Sequence, residues 1–134
     1  FVREGIGTRH AHHIIPPTCR LCAAIVTVPG GCDTLMCSTY LQCGTGLNNT
    51  NIDVLHSMGV SLTTWAKAFI VGGDFNMEPQ AFEASAMAQR VQATLVAPHA
   101  PRGTCTTAEH GSLLDYFLVE NILATGLAYV RVTY

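Results

Sequence analysis

Two acidic positions in this chain lie where a purely structural sequence would avoid a charge. The first is Asp74, which follows an apolar segment and two glycines and precedes Asn76 and Pro79. Residues two apart in an extended segment project to the same side, so a carboxylate and an amide could face one reacting group. Glycines also let a substrate or a second backbone approach closely. The segment 72–79 is therefore a candidate reaction site.

The second position is Asp115, which interrupts a segment of large apolar and aromatic residues at 113–119. A charge buried without a partner is costly, so Asp115 should have a cation, a histidine or a metal beside it, or lie at the mouth of its strand. The alternative from residue type alone is an edge strand on which Asp115 faces water. The residues leave these interpretations open.

Together the two motifs resemble the endonuclease/exonuclease/phosphatase superfamily, which includes deoxyribonuclease I, AP endonucleases and inositol-polyphosphate phosphatases. The segment 72–76 (GGDFN) with Pro79, followed further along by 112–116 (SLLDY), has the order of the family's motifs. Tyr40 is similar to the family's strand-end Tyr or His next to the scissile phosphate. The resemblance covers residues 21–119 and leaves the His-rich start unexplained.

The resemblance implies a role for each matched residue. Asp74 would position or deprotonate the attacking water and take part in metal binding, and Asn76 would donate its amide to a phosphoryl oxygen. Asp115 would orient a catalytic histidine, and Tyr40 would hydrogen-bond the phosphate. The family needs a divalent ion, Mg²⁺ or Mn²⁺, as a Lewis acid on the phosphoryl oxygen and the leaving group.

The implied function is metal-dependent hydrolysis of a phosphoester, with a phosphodiester of nucleic acid as the first substrate class and nucleic acid as the partner. A phosphoinositide or sphingomyelin substrate is the alternative within the same chemistry. A binding module without catalysis, in which the fold persists after the site has been lost, is the alternative outside it. The oligomeric state is not predicted.

Two parts of the family's pattern have no match in this sequence. The family's metal-binding Glu belongs in the amino-terminal half. The acids upstream of Tyr40 are Glu4 and Asp33, and neither follows an apolar strand in the expected way. The terminal Asp-His pair belongs after Asp115, where the sequence has no Asp and no His. We therefore expect this chain to be an internal piece of the domain, inactive or weakly active alone, with the longer parent as the enzyme.

Strands and two helices are expected to position these residues. The spacing of apolar residues from Thr50 to Phe69 predicts a helix capped by Thr50. Pro79 predicts the first turn of a second helix, which carries Phe82 and Ala86. Strands are predicted at 21–28, 34–41, 68–71, 94–97 and 113–119, and weakly at 127–133.

These elements indicate an α+β domain. The resemblance specifies the carboxyl-side portion of a four-layer α/β/β/α sandwich, deoxyribonuclease I-like, with mainly antiparallel sheets. We expect an irregular segment at 1–20 and the partial domain at 21–134. The predicted strands would share one sheet with both helices on its outer face, which would leave an apolar face uncovered.

Composition excludes several other classes of protein. With 49% hydrophobic and 12% charged residues over 134 positions, the chain is one small domain or part of a larger one and not a disordered segment. The formal net charge is −2 and the basic residues are scattered, so no general nucleic-acid or membrane-binding surface is predicted. Neither a signal peptide nor a membrane-spanning segment is recognised, which favours an intracellular location.

A zinc-binding module is a further alternative. Cys19 and Cys22 form a C-x-x-C pair that follows His10, His12 and His13, and these are the residue types that zinc prefers. A single pair is weak evidence, because no second pair follows at the usual spacing and an apolar strand begins at Cys22. Free thiols that pack as small hydrophobic side chains are the default for the six cysteines.

Overall fold

The computed structural model describes residues 6–28, 30–99, 103–105 and 111–127 as one sheet flanked by helices. The strands are β1 (Gly7–His10), β2 (Leu21–Val28), β3 (Cys32–Tyr40), β4 (Phe69–Asp74), β5 (Ala93–Val96) and β6 (Asp115–Glu120). The helices are α1 (Asn49–Trp65), α2 (Pro79–Glu83), α3 (Met87–Arg90) and α4 (Asn121–Ala124).

The six strands of the sheet follow the order β1-β2-β3-β4-β6-β5, and β3–β4 is its parallel pair. The other neighbours are antiparallel. A parallel pair needs a crossover, which α1 provides between β3 and β4. As a consequence the carboxyl ends of β3 and β4 lie at the same edge of the sheet.

The two faces of the sheet differ in burial, as β3 shows most clearly. Leu35, Cys37 and Thr39 are buried on the face that also meets the helices, whereas Met36 and Tyr40 alternate with them and are exposed. This period-two pattern is that of a sheet with one covered face. The described residues thus form one mostly antiparallel sheet with helices packed on one face, which agrees with the predicted α+β class.

Helix α1 covers the buried face through Leu55, Met58 and Leu62. The predicted cap at Thr50 is wrong, because the side chain of Asn48 accepts the hydrogen bond from the Asn51 N–H and starts the helix earlier. The helix also ends before the predicted Phe69.

The end of α1 is set by Ala66, which has a left-handed φ of 50° and donates its N–H to the Leu62 carbonyl oxygen. This geometry stops the helix, and Phe69 begins β4 instead.

The predicted second helix begins at Pro79, as expected, but is broken in two. Ala86 has a φ of 53°, which ends the helical path after α2 and starts α3 at Met87. A Cβ on Gly59 of α1 would lie 3.2 Å from the Met87 sulfur, so the two helices approach closely there. The break lets Met87 pack into the core.

The amino-terminal segment is more ordered than predicted. Residues Gly7–His10 form β1, which pairs with β2 and is exposed along its whole length. Because no residue of this strand is buried, it shows no apolar alternation in the sequence. Ala11 and Ile15 then enter the core, while 11–20 contain neither helix nor strand. Residues 1–5 lie outside the described part.

The carboxyl-terminal end also differs from the prediction. The segment Asn121–Ala124 forms α4, whose N-cap Glu120 accepts hydrogen bonds from the Ile122 and Leu123 N–H groups. The weakly predicted strand at 127–133 lies outside the described residues from 128 onward. Across the described ranges, no helix combines the length and apolar character needed to cross a membrane.

The uncovered sheet face should bind a hydrophobic dye. Met36 and Phe117 are 39% and 36% exposed on this face, and exposed large apolar side chains on one surface bind such a dye. We expect the fluorescence of bis-ANS to rise with the wild-type chain and to fall in the Met36→Gln, Phe117→Gln double variant. Ile122→Gln is the control, because Ile122 is 79% exposed on α4. An equal loss in the control would contradict this assignment.

Candidate functional site

Three predicted site residues lie in one row at the edge of the sheet. Tyr40 is the register partner of Asp74 across β3–β4, and Asp74 is the partner of Asp115 across β4–β6. Register partners on neighbouring strands point to the same face and lie roughly 5 Å apart. The row is on the uncovered face, so the structure brings the predicted hydroxyl and both predicted carboxylates together.

The backbone fixes the position of Asp74 from both sides. The Leu41 N–H donates to the Asp74 carbonyl oxygen at 2.9 Å, and the Phe75 N–H donates to the Leu114 carbonyl oxygen at 2.9 Å. These bonds extend the two ladders past the strand ends. The carboxylate of Asp74 is therefore held on a rigid edge and not on a free loop.

The environment of Asp74 favours its neutral form. Burial of the carboxyl group raises its pKa above the usual value, and the negative charge of Asp115 raises it further. The Asn76 N–H donates to Asp74 Oδ1 at 3.0 Å, which opposes the shift but does not reverse it. The result is a more basic carboxylate beside a second acid.

The prediction that Asn76 and Asp74 share an extended segment is wrong. Its φ of 51° is left-handed, and its Nδ2 donates to the Leu41 carbonyl oxygen at 2.8 Å. The side chain thus ties the loop after β4 to the end of β3. The Asn76 side-chain amide carries two hydrogens, and the bond to Leu41 uses one of them. The second N–H is left to donate to another acceptor.

Asp115 is the first residue of β6 and is exposed. Because β6 lies between β4 and β5, the edge-strand interpretation is wrong, and the position at the strand mouth is confirmed. Thr104 Oγ1 accepts hydrogen bonds from the Leu114 and Asp115 N–H groups, both at 2.9 Å. Thr104 is a positioning residue that no sequence motif indicated.

The two glycines before Asp74 serve the sheet in different ways. A Cβ on Gly73 would lie 2.0 Å from the Thr39 carbonyl oxygen, so the close approach of a second backbone requires glycine there. A Cβ on Gly72 would lie 3.0 Å from the ring of Phe117 on the uncovered face. The close approach predicted at these glycines is therefore that of the neighbouring strand's backbone, at Gly73.

An aromatic cluster supports the loop that follows Asp74. The ring of Phe75 stacks on Tyr116 with centroids 4.3 Å apart, and Phe82 meets both rings edge-on. The Tyr116 hydroxyl is enclosed and has no hydrogen-bond partner among the described residues. Burial, followed by the charges of Glu78 and Asp74, raises the Tyr116 pKa well above its usual value. The phenol therefore stays neutral beneath the site.

A cleft of about 510 Å³ opens beside the row on the uncovered face. Its acidic residue is Asp115, while Tyr40 and Asp74 lie next to it and not in its lining. Its other lining residues include Met36, Ser38, Ile70, Gly72, Pro98 and Phe117. An apolar cleft with one carboxylate at its end has the form of a ligand site.

The residues present do not complete a metal site. In the part of the chain that the structure describes, no three His, Cys, Asp or Glu side chains come close enough to hold an ion. No such group is formed by the residues of the zinc alternative, Cys19, Cys22, His10, His12 and His13. Asp74 and Asp115 supply carboxylate oxygens suited to Mg²⁺, but two ligands only.

Neither upstream acid supplies the missing ligand. Asp33 pairs with Arg9 and accepts a hydrogen bond from Thr27, which together with that arginine lowers its pKa. It stands near the start of β3 and Tyr40 ends that strand, so the two are roughly 20 Å apart. Glu4 lies outside the described residues.

Two solved structures share the architecture described above. The chain is similar to the human Nocturnin catalytic domain, solved with a bound sulfate anion, at a TM-score of 0.53 and 16% identity, over 87% of this chain and 46% of that one. It is also similar to the 3′ phosphatase NExo from Neisseria, solved with a product DNA hairpin, at a TM-score of 0.48 and 14% identity, over 92% and 61%. The likeness to the Nocturnin domain confirms the predicted deoxyribonuclease I-like fold.

The chain spans about half the length of the structures that it resembles. No family model matches the chain, and no curated protein matches it. At this level of identity the likeness establishes the fold alone.

Replacing Gly73 should disrupt the β3–β4 pair. In Gly73→Ala the new methyl group would collide with the Thr39 backbone, so we expect a loss of at least about 2 kcal/mol in the free energy of unfolding by urea. Gly7→Ala is the matched control, because its Cβ would meet Thr27 at an ordinary 3.7 Å. If both variants unfold at the same urea concentration, the close approach at Gly73 is not what the structure indicates.

Proposed function

We propose that this chain carries part of the reaction site of a metal-dependent phosphoesterase that hydrolyses phosphodiester bonds in nucleic acid. The observation that carries the proposal is the row of Tyr40, Asp74 and Asp115 on one sheet face. A phosphoryl-transfer site needs a base for water and donors for the phosphate oxygens, held in fixed geometry. The row offers both on strand ends that the backbone holds rigidly.

Asp74 is the proposed base. A carboxylate whose pKa is raised accepts a proton more readily than an ordinary one, and the shift at Asp74 comes from burial and from the charge of Asp115. In the proposed reaction Asp74 positions the attacking water and takes its proton. The charge of Asp115 adds to the rise in the Asp74 pKa that burial causes and, in the complete site, Asp115 orients a histidine.

Tyr40 and Asn76 are the proposed phosphate contacts. Tyr40 is 48% exposed beside Asp74, so its hydroxyl is available to a phosphoryl oxygen. The N–H of Asn76 that does not hold Leu41 supplies a second donor. Donors fixed before the substrate arrives stabilise the charge that develops on the phosphoryl group at low reorganisation cost.

A divalent ion, Mg²⁺ or Mn²⁺, is part of the proposal. When bound, such an ion polarises the phosphoryl oxygen and stabilises the leaving group. The described residues offer the ion two carboxylates, Asp74 and Asp115, and no third ligand. The proposed roles of Asp74, Tyr40 and Asn76 therefore involve only side chains of this chain. The alternative of a non-catalytic binding module predicts no dependence of activity on Asp74.

A lipid phosphoester, such as a phosphoinositide or sphingomyelin, is the second candidate substrate. The apolar lining of the cleft beside Asp115 favours it, because Met36, Ile70 and Phe117 suit an acyl chain better than a sugar. The two substrates are separated by assaying nicking of plasmid DNA and release of phosphate from lipid vesicles in parallel.

Neutralising either carboxylate of the row should abolish hydrolysis. We expect Asp74→Asn and Asp115→Asn in the full-length protein to lose about 10²-fold or more of the nicking of supercoiled plasmid in Mg²⁺, as is typical for the loss of a general base. EDTA should stop the wild-type reaction. Asp53→Asn, on the exposed surface of α1, is the control and should keep full activity. Full activity in Asp74→Asn would reject the proposed role.

A further inference from the structure

Arg20 occupies the next position in the row of site residues. Its carbonyl oxygen accepts the Tyr40 N–H at 2.9 Å and the Thr39 hydroxyl at 3.4 Å, so it continues the β2–β3 ladder one step past Leu21. Its guanidinium carbon lies 5.6 Å from the centroid of the Tyr40 ring. The side chain is therefore on the same face as Tyr40 and Asp74.

The guanidinium of Arg20 is held without an acceptor for one of its nitrogens. Nη1 is enclosed by the protein and has no hydrogen-bond partner among the described residues. A covered donor that finds no acceptor costs about 1–3 kcal/mol. By contrast, Arg9 is paired with Asp33, away from this edge of the sheet.

Because Nη1 is enclosed, a bound phosphate would meet the other nitrogens of this half-buried side chain. Arg20, Tyr40, Asp74 and Asp115 stand on four adjacent strand ends roughly 5 Å apart, so a phosphate over Tyr40 lies between a cation and an acid. Two carboxylates repel a phosphate anion, and a nearby guanidinium offsets that repulsion. The planar fork of Arg also matches two phosphate oxygens at once.

We propose that Arg20 is a substrate-binding residue that holds the phosphate group against Tyr40, opposite Asp74. The inference rests on the proposed function, since the ligand is the phosphate of the same phosphoester. It adds a positive charge to the site, which the scattered distribution of basic residues in the sequence did not indicate. No motif contains Arg20, and only its position beside Tyr40 distinguishes it.

Binding of a short fluorescein-labelled phosphorothioate oligothymidylate, followed by fluorescence anisotropy in EDTA, tests the role of Arg20 without hydrolysis. We expect Arg20→Gln in the full-length protein to raise Kd about tenfold or more, as loss of a charged hydrogen bond does. The slope of log Kd against log salt should also fall by about 1, which corresponds to the loss of one phosphate contact. Arg20→Lys should keep that slope, because the charge remains.

Arg90→Gln is the matched control, since Arg90 is exposed on α3 away from the row. It should bind with wild-type Kd and salt slope. Thermal unfolding of each variant separates lost binding from lost structure, and Arg20→Lys keeps the test open if Arg20→Gln does not fold.

The outcomes distinguish this inference from the proposed function. If Arg20→Gln binds like Arg90→Gln, or if the wild-type protein shows no saturable binding, the inference is wrong, whatever the nicking assay gives. If binding depends on Arg20 while no phosphoester is hydrolysed, phosphate binding stands and the proposed hydrolysis fails. Asp74→Asn should lose hydrolysis and keep oligonucleotide binding.

Discussion

The parallel pairing of β3 with β4 is the constraint on which the rest of the site depends. It places the carboxyl ends of both strands at one edge, so that Tyr40 and Asp74 are neighbours, and β6 then adds Asp115 to the same row. The pairing itself requires that Gly73 have no Cβ, because the Thr39 carbonyl occupies that space. Gly73 thus contributes by allowing the two backbones to approach, and the side chain proposed to react is that of the next residue, Asp74.

The two faces of the sheet have different roles, since one packs against the core and the other carries the candidate site. On the covered face, α1 and the stacked rings of Phe75 and Tyr116 hold the strand ends rigid. On the uncovered face, the same strand ends present polar side chains beside an apolar cleft. Rigid support beneath an exposed polar row is the arrangement that a preorganised reaction site needs, since misplacement by about 1 Å lowers rates strongly. The proposed role of Arg20 extends that row by one strand.

Much of this arrangement could be predicted from the sequence because its strongest signals are local. The apolar segment of β2 was predicted with its observed bounds. The strands that carry the two acids were also predicted, but with bounds two to three residues away from the observed ends at Asp74 and Asp115. The edge strand Gly7–His10 was missed because none of its residues is buried. The break at Ala86 and the part played by Thr104 depend on tertiary contacts, which no local pattern contains.

Asp74 and Asp115 are register partners, and the pKa of Asp74 reports whether their carboxyl groups share one environment. Carbon-detected NMR titration of the carboxyl groups should give Asp74 a pKa above the ordinary 3.8, owing to burial and then to the charge of Asp115. In Asp115→Asn the pKa of Asp74 should fall, since a like charge has been removed, while Asp53→Asn should leave it unchanged. An Asp74 pKa that does not respond to Asp115→Asn would contradict the account.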